Sequence, residues 1–137
     1  MSKRKILYPL VNPLDYLNLA EELATRPETS ALRTAADRVY FSTFLFCRDT
    51  LAAKNYILPK HSSDDHLDVT NALRRRNVLG SFGNEEYRLR RARNCITYDT
   101  RDLIEGQPND IRTLDWMLNT AKEIIKRIDI LPTNQNS

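Results

Sequence analysis

ALRTAADRVYFSTFLFCRDTLA, residues 31–52, decides the fold. Neither Gly nor Pro interrupts it, and Ala, Leu and Arg recur through it, so it is expected to be the longest helix of the chain. Thr29 or Ser30 is placed to cap it, and it should run to about Lys54. Its middle, VYFSTFLFC at residues 39–47, is apolar almost all the way round. One seam against neighbouring helices needs only a stripe of apolar residues, so two surfaces are expected to cover this belt. One is the core of a bundle; the other is either more of the same chain or a second copy across a dimer interface, where Tyr and Phe are favoured.

Working outward, Asn12-Pro13 offers an N-cap and a first-turn proline for a helix over residues 13–25, and Arg26-Pro27 ends it because a residue before proline is pushed out of the helical region. Downstream, residues 55–62 connect to a third helix, capped and made acidic at its start by Ser62, Ser63, Asp64 and Asp65, reaching about Asn77. GSFGN at 80–84 reads as a break. A fourth helix is expected from near Glu85 to Glu105, and a fifth over residues 111–130 with Leu114, Met117 or Leu118, Ala121, Ile124 or Ile125 and Ile128 on its buried side. Residues 132–137 read as a frayed polar tail. The expectation is one all-α domain, an up-and-down bundle of about five helices. Three glycines in 137 residues leave little room for the hairpin turns of a β protein.

The charge is concentrated. Residues 74–103 hold eight arginines against Glu85, Glu86, Asp99 and Asp102, a local surplus of four positive charges in a chain whose net charge is +3. Such a segment attracts phosphate or an acidic protein, and arginine suits bidentate phosphate contact better than lysine does. Cys47 and Cys95 make neither a disulfide framework nor a metal quartet and are read as small core hydrophobes. His61, Asp64, Asp65, His66 and Asp68 can be drawn as a metal site, but their spacing follows no ligand pattern, so no metal or cofactor is expected. No apolar run is long enough for a signal peptide or a membrane span, which points to a cytoplasmic protein without a membrane partner. The motifs of serine hydrolases, P-loop NTPases and dinucleotide-binding folds are absent from the sequence.

The basic segment centres on RLRRARNCITYD, residues 88–99. At about 100° per residue, Leu89, Ala92, Ile96 and Leu103 share a core stripe, while Arg90, Asn94, Tyr98 and Arg101 gather on the opposite face. Arg93 lies about 40° from Leu89, at the edge of that stripe, and about 140° from Tyr98. The two can meet one phosphate only if the helix distorts or a second chain brings its own copy across a shared cleft. Cutting RNA without a metal needs a base at the 2′-hydroxyl, an acid at the leaving oxygen and a cation on the phosphorane. Arg93 or Arg90 is a suitable cation, yet the segment holds no His.

DYLNLAEELA, ALRTAADRVYFSTFLFCRDTLA and RLRRARNCITYD resemble successive helices of the prokaryotic HEPN (higher eukaryotes and prokaryotes nucleotide-binding) family, over about residues 13–130. Residues 35–44, with Arg38, Tyr40, Phe41 and Phe44, are similar to the family's long second helix. Arg93 and Asn94 match the Arg and polar positions of its Arg, four to six residues, His motif, and Tyr98 stands where the His would be. The resemblance implies a helical bundle, a homodimer with a shared cleft and, in active members, a metal-independent endoribonuclease, often a toxin paired with a nucleotidyltransferase antitoxin or a part of an antiviral defence system. The expectation is an RNA- or nucleotide-binding protein centred on Arg93, Asn94 and Tyr98, with Arg88, Arg90, Arg91, Arg101 and Arg38 gathering phosphate. The alternatives are an active endoribonuclease and a non-catalytic module docking an acidic partner.

Overall fold

A computed structural model of the chain describes residues 11–75, 80–98 and 113–135. Among them there are five helices and no strand: α1 Pro13–Leu23, α2 Thr29–Ala53, α3 Asp64–Arg74, α4 Gly80–Tyr98 and α5 Thr113–Asp129. Asn12 caps α1 as expected, its side chain accepting from Leu14 N–H at 3.0 Å, with Pro13 in the first turn. The start of α2 differs from expectation. Glu28 is its N-cap residue, without a side-chain cap, and Thr29 already lies inside the helix.

Helix α2 is the axis of the bundle and packs against all four other helices. Val39, Tyr40, Phe44, Cys47 and Leu51 are buried along it, and Phe41, Leu45 and Phe46 pack partly buried against the same core. Tyr16 of α1, His66 of α3 and Arg93 of α4 reach the belt at residues 39–47 through Phe41, Phe44 and Tyr40, so its all-round apolarity does not of itself require a second chain. Ser42 and Thr43, the polar members of that belt, turn their hydroxyls onto Val39 O, which lets them sit at 0% exposure. Helix α5 contributes Leu114, Met117, Ala121, Ile124 and Ile128, the stripe its spacing predicts.

Helix α4 begins at Gly80, ahead of the expected start near Glu85. The segment read as a break is helical because Gly83 lies against α3: a Cβ there would meet Arg74 Cγ at 2.6 Å and Arg74 N at 2.8 Å. Glycine serves here as a contact surface for a neighbouring backbone, not as a turn residue. The expected continuation of this helix to Glu105 and the expected stop at 106–109 lie outside the described residues.

The tail also differs from expectation up to Asn134. Lys54 Nζ donates to the carbonyls of Ile128, Asp129 and Leu131, covering the C-terminal end of α5, and Tyr56 Oη donates to Pro132 O at 2.6 Å. Asn134 N–H then donates to Lys54 O at 2.7 Å. A cation at helix-end carbonyls is favourable, and this one ties the C-terminal end of α2 to the C-terminal end of α5 and the residues that follow it.

Candidate functional site

Three helices bring ionisable side chains together around Tyr40. From α4 come Glu86, Arg90 and Arg93, four and then three residues apart, so that they share one flank of the helix beside the Leu89, Ala92 and Ile96 stripe. Helix α3 supplies His66 and Thr70, one turn apart. Helix α2 supplies Asp37, Tyr40, Phe44 and Arg48, also at helical spacing.

Tyr40 is 1% exposed. Its hydroxyl lies 2.5 Å from His66 Nδ1, and the Arg93 guanidinium sits 4.9 Å from its ring centre. The His66 ring stacks on Phe44, centres 3.9 Å apart and planes within 18°. Arg93 Nη1 is 3.7 Å from Asp37 Oδ1, while Asp37 Oδ2 takes Arg38 Nη2 at 2.6 Å, so one carboxylate ties the two arginines together. Glu86 is wholly buried; its Oε2 meets the Thr70 hydroxyl and its Oε1 has no hydrogen-bond partner. The Nε atoms of Arg90 and Arg93 are likewise buried without a partner. Three unpaired polar atoms on one flank of one helix are an unusual expense, of the kind met at functional sites.

The protonation states follow from burial and neighbours. Burial, then the Arg90 and Arg93 charges, hold His66 below its ordinary value against the pull of Asp65, so the imidazole is neutral near pH 7. Burial also pushes the Glu86 carboxyl up to about 7, although Thr70, Arg90 and Tyr40 oppose it. Tyr40 is raised by burial and by Glu86, and keeps its proton. Cys47 is raised by burial and by Glu86 and is no thiolate nucleophile. A neutral imidazole, a titratable carboxyl and two guanidinium groups are the parts of acid–base chemistry on a phosphate ester.

The residues singled out from the sequence do not all meet here. Arg93 sits at the core edge, its side chain 17% exposed, as the wheel predicts. Arg90 was expected on the outer face with Asn94, but α3 covers that side of α4 and leaves it half-buried, whereas Asn94 is exposed. Arg38 faces α1, lying 5.4 Å from the Tyr16 ring and 5.2 Å from the Phe41 ring, and reaches Arg93 only through Asp37. Arg88 and Arg91 lie elsewhere, lining a cavity of about 300 Å³ between α4 and α5 with Ala92, Cys95, Thr113 and Trp116. Tyr98 ends α4, but its side chain, and all of Arg101, fall outside the described residues.

Sequence reasoning missed His66, Glu86, Tyr40 and Thr70 as one group. The spacing of Glu86, Arg90 and Arg93 was the available signal. In the sequence His66 stands out only as a drawable metal ligand beside Asp65, yet Asp65 instead accepts from the backbone N–H groups of Lys60 and His61 at 2.8 and 2.9 Å. Among the described residues no three His, Cys, Asp or Glu side chains gather as a metal site, and no helix is long and apolar enough to cross a membrane.

Comparison with protein-family models, with curated proteins and with solved structures finds no match to this chain.

Proposed function

We propose that the chain binds RNA through Arg90 and Arg93 and cleaves it by acid–base chemistry in which His66 is the general base. The observation that carries this reading is His66: its neutral imidazole shares the Tyr40 side chain with Arg93, which places a base from α3 beside the cation of an α4 segment that has no His of its own. In the proposed step His66 takes the 2′-hydroxyl proton, the 2′-oxygen attacks phosphorus, and the guanidinium groups meet the charge on the phosphorane. The 5′-oxygen then leaves with a proton from an acid. Tyr98, at the His position of the HEPN-like motif, is the candidate for that second proton transfer. A 2′,3′-cyclic phosphate is the product.

The HEPN-like reading also carries a homodimer and a nucleotidyltransferase-type antitoxin as proposed partners. Tyr98 in place of His favours a second reading, an RNA or nucleotide binder without turnover. Incubating single-stranded RNA with the protein in the presence of EDTA separates the two. Cyclic-phosphate ends are expected from the wild type, falling by roughly 10²–10⁴-fold in His66→Ala and in Arg93→Ala. Salt-sensitive binding without cleavage by the wild type sinks the enzymatic reading and leaves the binder. If neither RNA nor a nucleotide binds, while one acidic protein co-purifies through the arginine face, the docking module takes its place.

A further inference from the structure

Helix α4 carries arginines on both flanks of its core stripe. At about 100° per residue, Glu86, Arg90 and Arg93 lie about 40–100° from Leu89 on the flank that meets Tyr40, while Arg88, Arg91 and Cys95 lie about 100–160° from it on the other. That second flank borders the cavity of about 300 Å³ that it shares with Trp116 of α5. Its two cations are weakly engaged. Arg88 meets Glu85 at 3.5 Å with its side chain 67% exposed, a pair of little energetic weight, and Arg91 forms no ion pair among the described residues.

Core packing does not account for Trp116. On the α5 wheel it stands at least about 80° from every residue of the buried stripe Leu114, Met117, Ala121, Ile124 and Ile128, and it is 36% exposed. Among the described residues no second ring and no guanidinium stacks on its indole. A flat apolar ring beside two guanidinium groups without strong partners is the pairing that takes a base by stacking and its phosphate by charge.

We propose that this cavity binds a nucleoside phosphate, its base stacked on Trp116 and its phosphate held by Arg88 and Arg91. A volume of about 300 Å³ is at the small end of the range for small-molecule sites, which suits one nucleoside unit and not several. Each guanidinium offers a fork of N–H donors that matches phosphate oxygens, and both are charged at every pH the protein meets. Stacking takes any base, because every base has a π-face, so the site holds a nucleotide without reading its identity. The unit comes either as a free nucleotide or as one residue of a single strand, and at the cavity the chemistry is the same. The site shares no residue with the group around Tyr40 and does not depend on cleavage there.

Trp116 is the single tryptophan, so its fluorescence reports on the cavity in the whole chain. Titration with AMP, and separately with a short oligoadenylate, should quench it. Adenosine and inorganic phosphate each offer half of the contacts and should bind at least about tenfold more weakly than AMP. Arg88→Gln combined with Arg91→Gln, both exposed positions, should weaken binding by roughly tenfold or more. Trp116→Leu, followed by calorimetry, should weaken it by roughly fivefold or more. Cys95 fixes the location. It lines the cavity and is half-buried, whereas Cys47 is 0% exposed, so iodoacetamide should modify Cys95 first in the folded protein and saturating nucleotide should slow that reaction severalfold. Quenching by AMP and the oligonucleotide alike identifies a free nucleotide, and quenching by the oligonucleotide alone identifies a unit of a single strand; either supports the site. No quenching by either overturns the proposal, as does quenching that the double Gln variant leaves unchanged or that comes without protection of Cys95.

Discussion

Glu86→Gln should make this protein less sensitive to alkali, and the size of the effect follows from the burial of the carboxyl. In the unfolded chain the group titrates at its ordinary value of 4.5; in the folded protein burial raises it to about 7. Between those values the folded state keeps a proton that the unfolded state has lost, so unfolding releases a proton and stability falls as pH rises, by about 1.4 kcal/mol per pH unit. The loss accumulates to about 3 kcal/mol and levels off above about pH 7. The amide variant has nothing to titrate at that position and lacks this loss. Urea unfolding followed by the fluorescence of Trp116, the single tryptophan, measures both proteins from about pH 5 to about pH 8.5. The stability of the wild type relative to Glu86→Gln should fall across that range by most of the ~3 kcal/mol. His66 acts in the opposite sense, because its folded value is lowered: its contribution rises with pH just below about 6.5, and in the difference between the two proteins it largely cancels. A difference that stays flat with pH, or a wild type that gains on the variant as pH rises, would refute the assignment of Glu86 as a buried carboxyl held protonated by its surroundings.

Gly83→Ala gains about 1 kcal/mol of helix propensity but drives a methyl group to 2.8 Å from the Arg74 backbone N, and overpacking of this kind costs about 1–3 kcal/mol, so a lowered melting temperature is expected. Leu51→Ala, at a fully buried position of α2, should lose about 2–5 kcal/mol in chemical unfolding. Lys54→Met removes the cation from the carbonyls of Ile128, Asp129 and Leu131 while keeping the aliphatic stem; about 1–3 kcal/mol is expected, with faster hydrogen exchange confined to the end of α5 and the tail. No local change in exchange would show that the strap does not hold the tail.

Much of the fold is legible along the chain because helices are written in local signals. Asn12-Pro13 starts α1, the uninterrupted residues 31–52 fill α2, and the spacing of Leu114, Met117, Ala121, Ile124 and Ile128 sets the inner face of α5. The same local rules misplace the start of α4. Glycine at 83 is a poor helix former, and its value appears only once the Arg74 backbone is known to lie against it.

The candidate site was half legible. The arginines stood out because charge can be counted without knowing contacts, and the wheel put Arg93 at the core edge. The partners of those arginines were hidden. His66 and Arg93 are 27 positions apart, Tyr40 and His66 26, and neither pair has a periodicity that links it. Arg90 looked solvated because one wheel knows only one buried stripe, while α4 is covered by α2 and α5 on one flank and by α3 on the next. RLRRARNCITYD therefore reads in the sequence as a basic helix without a His. Helical periodicity is a property of neighbours in the chain and is settled there. The charge state of Glu86 and the neutrality of His66 come from desolvation and from fields of groups on other helices, and they exist only once α2, α3 and α4 have closed around Tyr40.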